Sequence, residues 1–217
     1  MATILVNGQP WEYEATSYYD ASRILDHEDA KHILLTAKKV LDKNKVPFML
    51  MYGTLLGAIR ENGFIKNDHD MDLLIFEKDR QNLINSIPDF AKDGVMFTRM
   101  SEPWVYTFQY KNASCDFYVI QDAKWPYKYR YCRITLDYIQ KSFFEQTEKI
   151  DFLGEQFDVP KNPVRVLEYF YGKNWRVPQK KSARAQSRLL FHMIIKKFIK
   201  KAWSYIKRHY LDKICRK

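Results

Sequence analysis

Three aspartates, Asp68, Asp70 and Asp72, stand two residues apart at the entry to the apolar run MDLLIF, with Asp72 inside it. Carboxylates at that spacing repel one another, and burying them costs free energy unless something offsets the charge. If NDHDMDLL enters a strand, alternation puts all three on one face and turns His69 and Met71 to the other. Hard oxygen ligands concentrated in this way suit Mg²⁺ or Mn²⁺, which relieves their repulsion. Asp116 is embedded in the apolar stretch CDFYVI, where an acid is costly unless it is paired or ligating. It is the candidate third carboxylate of a two-metal site. Upstream, Gly53 and Thr54 close the apolar run VPFMLMYG and open a segment of helix formers. The free N–H groups and positive dipole end of a helix beginning there are placed to hold phosphate. Metal plus phosphate is the chemistry these residue types point to.

The elements that must position these groups are legible in outline. VPFMLMYG, MDLLIF, CDFYVI and WVYTFQY have strand length and composition, whereas Thr54 to Asn62 and EKDRQNLINSI (77–87) read as helices. Apolar residues from Tyr19 to Leu41 recur at helical spacing, predicting a helix there. Asn7-Gly8 predicts one hairpin, and IDFLGEQFDV a second turning at Gly154-Glu155. Pro163 near its start and Gly172 past its end bound a final helix. The expected class is α/β, a mixed sheet flanked by helices over residues 1–180, with a basic helical tail over 181–217.

Charge separates the tail from the body. The net charge of +10 over 217 residues is carried by the segment from Gln179 onward, which has 13 Lys and Arg against Asp212 as its single acid. The remaining residues hold 23 basic and 25 acidic groups. In the tail, Leu190, Ile194, Ile195, Phe198, Ile199 and Ala202 form an apolar stripe, and Lys196, Lys197, Lys200 and Lys201 mostly line the other side. A basic amphipathic helix of this kind suits an anionic membrane surface. Nucleic acid is not an expected partner, because the near-neutral body gathers acids at the site and would repel it. The three cysteines are scattered, with neither metal-ligand spacing nor a disulfide framework. With no signal-peptide layout and no spanning apolar run, the expectation is a cytoplasmic protein bound peripherally to the inner face of the membrane.

Each motif is weak by itself, but their ordered combination is not. Gly53-Thr54, then Asp70 and Asp72, then Asp116 on a separate strand resembles the nucleotidyltransferase fold. Within it, GTLLGAIRENGFI followed by an acidic strand is similar to the LicD/fukutin family, and so is the later FLGEQFDVPKNPVRVLEYFYGKNWRVPQ. The resemblance covers roughly residues 20 to 180. It implies a LicD-like phosphotransferase that moves a phosphocholine-like group from a CDP-linked donor to a glycan or lipid-linked glycan, releasing CMP. It assigns Asp70, Asp72 and Asp116 to Mg²⁺ or Mn²⁺ and to catalysis, Gly53 and Thr54 to phosphate, and Arg60 to neutralising charge. Where the family reads Trp-Asp-Asp-Asp-Ile-Asp, this chain has Asn67-Asp68-His69-Asp70-Met71-Asp72, so no Trp is there to stack and His69 replaces an acid. Two other readings remain open at this stage. One is transfer of a nucleoside monophosphate with pyrophosphate release; the other is a non-enzymatic membrane-surface adaptor driven by the tail.

Overall fold

The computed structural model describes residues 1–16, 24–125, 127–135 and 137–178. The tail expected as a basic helix over 181–217 lies outside the described residues, and so does the beginning of the helix expected from Tyr19. Residues 1–169 form one compact unit.

The chain opens on an antiparallel hairpin, β1 (Ala2–Val6) and β2 (Gln9–Tyr13), turning at Asn7 and Gly8 as expected. Both turn residues have positive φ, +50° and +77°, the twist that two-residue hairpins favour. Helix α1 (His27–Lys43) follows. Asp26 caps it, its carboxylate accepting the backbone N–H groups of Glu28 and Asp29 at 3.0 Å each, which satisfies two of the first turn's orphan donors. Then come β3 (Phe48–Leu50), α2 (Tyr52–Arg60), β4 (Met71–Phe76), a 3₁₀ turn, α3 (Arg80–Asn85) and α4 (Ile87–Lys92). The single helix expected over 77–87 is therefore broken. Pro88 has no N–H and its ring collides with the carbonyl four residues back, so the helix restarts with proline in its first turn.

Strands β5 (Met96–Ser101), β6 (Val105–Tyr110), β7 (Ala113–Asp122), β8 (Tyr131–Ile134) and β9 (Asp137–Gln140) complete a seven-stranded sheet. Its order is β3-β4-β7-β6-β5, with β8 and β9 extending from the far end of β7. Only the β4–β7 pairing in it is parallel. Sequence patterning missed β5, β8 and β9, whose short polar-interrupted runs carry little periodicity. A second hairpin, β10 (Thr147–Phe152) and β11 (Glu155–Pro160), turns at Leu153 and Gly154, one residue earlier than expected. Helix α5 (Pro163–Tyr171) follows it.

One face of the sheet is the core. Met71, Leu73, Ile75, Phe117, Val119, Tyr106 and Phe108 are all buried, with α1 against β6 and β7 and α4 against β5. Phe90 of α4 meets Phe108 at 4.4 Å between ring centroids, and Phe108 meets Phe117 at 5.3 Å. Each such ring contributes on the order of 1.5–3 kcal/mol by burial. The other face carries polar groups as well as buried apolar residues such as Met49, Leu74 and Ile120. Among the described residues no helix is long and apolar enough to cross a membrane.

Candidate functional site

Strand register brings together residues that are far apart in the chain. In the parallel pairing of β4 with β7, Asp72 lies opposite Asp116. In the antiparallel pairings beyond, Asp116 lies opposite Thr107 of β6, and Thr107 opposite Arg99 of β5. Paired residues share a face, so Asp72, Asp116, Thr107 and Arg99 form one row across four strands. A β-bulge delivers Arg99 to it. The β5–β6 register shifts between Phe97 and Arg99, so the one extra residue, Thr98, turns Phe97 to the core and Arg99 to the row.

The row is hydrogen-bonded along its length. Thr107 Oγ1 donates to Asp116 Oδ1 at 2.5 Å, and Arg99 Nη2 reaches both oxygens of Asp116 at 3.3 Å. Arg99 Nε also donates to Thr107 Oγ1 at 3.2 Å. Asp116 is buried. Burial pushes its carboxyl above the ordinary carboxylate range, and the Thr107 hydroxyl and the Arg99 guanidinium work in the opposite direction.

Asp72 is fixed from the other side by α2. Its Oδ2 accepts the Gly53 N–H at 2.9 Å, and its own N–H donates to Thr54 Oγ1 at 2.8 Å. Gly53 serves by leaving space and not by its backbone angle: a Cβ there would stand 2.6 Å from Asp68 Oδ2 and 3.2 Å from Asp72 Oδ2, so the acids would have to shift. Burial holds the Asp72 carboxyl well above its usual range. Asp70, Asp68 and Asp116 add to that effect, while the Gly53 N–H opposes it. Tyr118, two residues beyond Asp116 on the same face, is pushed up by burial and then by the same carboxylates. Its ring meets that of Tyr52 at 5.1 Å, edge to face. Tyr52 itself has φ of +44°, a left-handed conformation that a bulky residue adopts only when its surroundings enforce it.

Several expectations are corrected by this geometry. Strand β4 begins at Met71, so Asp68 and Asp70 sit half-buried in the loop before it, and strand alternation places Asp72 only. His69 lies in the same loop, its N–H donating to Asp68 Oδ1 at 3.1 Å. The acids nevertheless gather, because the loop folds back on α2. The Gly53 N–H, expected to face phosphate, is committed to Asp72, and the Thr54 hydroxyl accepts from the Asp72 backbone. Arg60 is at the opposite end of α2, about 10 Å along the axis at 1.5 Å per residue, and its guanidinium pairs with Glu61 at 2.6 Å. Near the row, Tyr106 is in the core and Trp104 carries the Arg133 guanidinium over its ring at 3.8 Å. Trp125 and Tyr129 are exposed, on the surface.

Sequence reasoning missed Arg99, Thr107, Tyr118 and Tyr52. The polar residues of FTRM and VYTFQY were the available signal for the first two, since Arg and Thr inside strand-like runs need partners.

As a cation site, the donor set is hard oxygen only. Among the described residues no three His, Cys, Asp or Glu side chains form a ready metal cage. Mg²⁺ does not require one, since it keeps waters and is bound through one or two carboxylates plus substrate phosphates. The crowding of Asp68, Asp70 and Asp116 around the buried Asp72 is repulsion that a divalent cation offsets, so Asp70 and Asp72 fit such an ion.

Known proteins match this chain over much of its length. Residues 45–162 match the family model described as LicD/FKTN/FKRP, nucleotidyltransferase domain. The chain is 30% identical to human ribitol-5-phosphate transferase FKTN over 171 residues, covering 70% of this chain and 34% of that protein. The mouse protein of the same name is 32% identical over 169 residues, with the same coverage. An uncharacterized Rickettsia prowazekii protein, RP689, is 26% identical over 144 residues, 61% of this chain and 50% of the relative. The chain thus spans about a third of the length of the fukutin proteins it matches. Among solved structures, the lincomycin-bound lincosamide antibiotic adenylyltransferase LnuA aligns over 76% of this chain and 95% of its own, at 9% identity and a TM-score of 0.47. The matched segment is more than half of the chain and runs from just before β3 to the end of the β10–β11 hairpin, so the chain belongs to the LicD/FKTN/FKRP nucleotidyltransferase-domain family.

Proposed function

We propose that this chain is a metal-dependent phosphotransferase that moves an alcohol phosphate from a CDP-linked donor to a glycan hydroxyl and releases CMP. The observation that carries the reading is the Asp72–Asp116 pair, placed side by side by strand register with Asp70 next to it. Family membership supports a transferase, and the related fukutin proteins are named for transfer of ribitol 5-phosphate. Asp70 and Asp72 hold Mg²⁺ or Mn²⁺, which when bound neutralises phosphate charge and lowers the pKa of an acceptor hydroxyl.

Asp116 is the proton acceptor. Its raised pKa makes it a stronger base than an exposed aspartate, while Arg99 and Thr107 hold its carboxylate in one orientation. The acceptor oxygen forms a bond to the donor phosphorus, its proton goes to Asp116, and the pyrophosphate P–O bond breaks to leave CMP. The chain's part is chiefly positioning and charge neutralisation, as phosphoryl transfer requires. Gly53 and Thr54 serve by locking Asp72. The basic tail holds the protein at the anionic inner face of a membrane, close to a lipid-linked acceptor.

The test is product analysis with CDP-choline, CDP-ribitol and CDP-glycerol, a glycan acceptor and Mg²⁺. CMP release with a phosphodiester mass added to the glycan is expected. Pyrophosphate release from a nucleoside triphosphate would instead mean nucleotidyl transfer. Asp72→Asn and Asp116→Asn should each lower turnover at least about a hundredfold with the melting temperature held, and full activity in excess chelator would overturn the metal assignment.

A further inference from the structure

A cavity of about 370 Å³ lies at the carboxyl ends of β4 and β7 and has no part in the chemistry above. Phe76, Ile120, Asp122 and Cys132 line it, and register joins them, Phe76 opposite Ile120 and Asp122 opposite Cys132. By alternation these side chains share the face that carries Asp72 and Asp116. They lie four or more residues farther along the strands, about 13 Å at 3.3 Å per residue. The half-buried Tyr118 stands between the two places on that face.

The lining selects among ligands. Phe76, Ile120, Cys132 and Phe144 make an apolar floor, and Glu77, Lys78, Asp122, Lys141 and Glu145 bring charge around it. Three carboxylates against two ammonium groups give no positive field for a pyrophosphate. Lys141 is already paired with Asp122 at 2.5 Å, and Lys78 lies 5.9 Å from the centre of the Phe76 ring. Gln121 Nε2 donates to Glu77 Oε2 at 3.0 Å. An aromatic ring on an apolar floor, surrounded by donors and acceptors of nearly balanced charge, suits a neutral polyhydroxylated ring, its C–H face on the phenyl and its hydroxyls toward the rim.

We propose that this cavity is a subsite for a neutral sugar of the acceptor. The sugar held here is not the one that reacts, because its distance from the carboxylates exceeds one pyranose ring. The inference rests on the transferase reading for its role in catalysis, but not for sugar binding itself.

Saturation-transfer NMR on the full chain tests it, with the methyl glycosides of glucose, galactose, N-acetylglucosamine and rhamnose as probes and CDP as competitor. At least one glycoside should bind through its ring C–H protons and remain bound when CDP is added. Phe76→Leu, which keeps apolar volume but removes the flat ring, should weaken it about fivefold or more. Glu145 is exposed, so Glu145→Trp, placing an indole across the mouth, gives the same readout if Phe76→Leu fails to fold. Absence of glycoside binding, binding insensitive to both substitutions, or displacement by CDP or cytidine overturns the proposal. Glycoside binding at the cavity with no CMP release from any donor counts against the transferase reading and leaves the sugar site standing.

Discussion

Gly53 shows how one side chain, or its absence, sets the chemistry around it. Its hydrogen stands where a methyl group would meet the Asp68 carboxylate at 2.6 Å, and its N–H holds Asp72. Gly53→Ala therefore forces Asp68 to rotate or α2 to shift, and Asp72 moves with it. Because the colliding atom is the end of a side chain, the stability cost should be modest, about 1–2 kcal/mol, or a few degrees in melting temperature for a chain of this size. Turnover should fall by at least tenfold, since misplacement by an ångström is costly in positioned catalysis. A variant with unchanged turnover would show that the Asp68–Asp72 cluster is not the reacting site. Arg99→Gln tests the other end of the row. It leaves Asp116 buried with Thr107 as its remaining partner among those described above, so the melting temperature should drop, and Arg99→Lys should restore only part of it because a single ammonium does not span both oxygens.

At the scale of elements, α1 and α4 are held together by a cluster around Asp89. Its Oδ1 accepts from Lys92 at 2.5 Å, and its Oδ2 accepts from Lys43 of α1 at 2.9 Å and from Asn44 at 3.2 Å. Lys92 first, then Lys43 and Asn44, hold the Asp89 carboxyl well below the usual carboxylate range. A depressed folded-state pKa contributes stability that is present above the unfolded value near 3.9 and is lost as pH falls toward the folded one. Asp89→Asn should thus be less stable than the parent at pH 7 by about 0.5–1 kcal/mol, as partly exposed pairs usually are. The gap should close as pH falls below about 4. Thermal melts of both proteins from pH 7 to pH 2 measure it, and a gap independent of pH would assign the effect to packing.

For the whole molecule, the contrast between a near-neutral body and a strongly basic tail makes a prediction about location. Basic residues near anionic lipid contribute about 1 kcal/mol each, and buried apolar area adds a part that salt does not screen. The protein should co-sediment with anionic vesicles and poorly with neutral ones, with binding weakened but not abolished by salt. Truncation before Ser187 should abolish sedimentation, spare turnover on a water-soluble acceptor and reduce it on a lipid-linked one. A truncated chain that still pellets with anionic vesicles would assign membrane binding to the body.

The sequence by itself determined the parts whose cause is local. MDLLIF is a strand because Leu73 to Phe76 make a short, fully apolar run of strand length, Asn7-Gly8 turns a hairpin because both accept positive φ, and Asp116 stood out as an acid in an apolar run. Gly53-Thr54, then Asp70 and Asp72, then Asp116, with GTLLGAIRENGFI among them, were the ordered set that carried the resemblance to the family. What only the tertiary structure decided depends on register between distant strands. Asp72 and Asp116 are neighbours because β4 pairs in parallel with β7 across an intervening stretch of two helices and two strands, and nothing within either strand specifies that offset. Arg99 joins them because one extra residue at Thr98 inverts the face of β5, a change invisible until the partner strand is known. Asp68 and Asp70 kept their place near the site for a reason other than strand alternation: the loop that carries them packs on a glycine whose missing Cβ makes the room. Local propensity acts over a few residues, but a site is built by pairing and packing that act across the whole sheet.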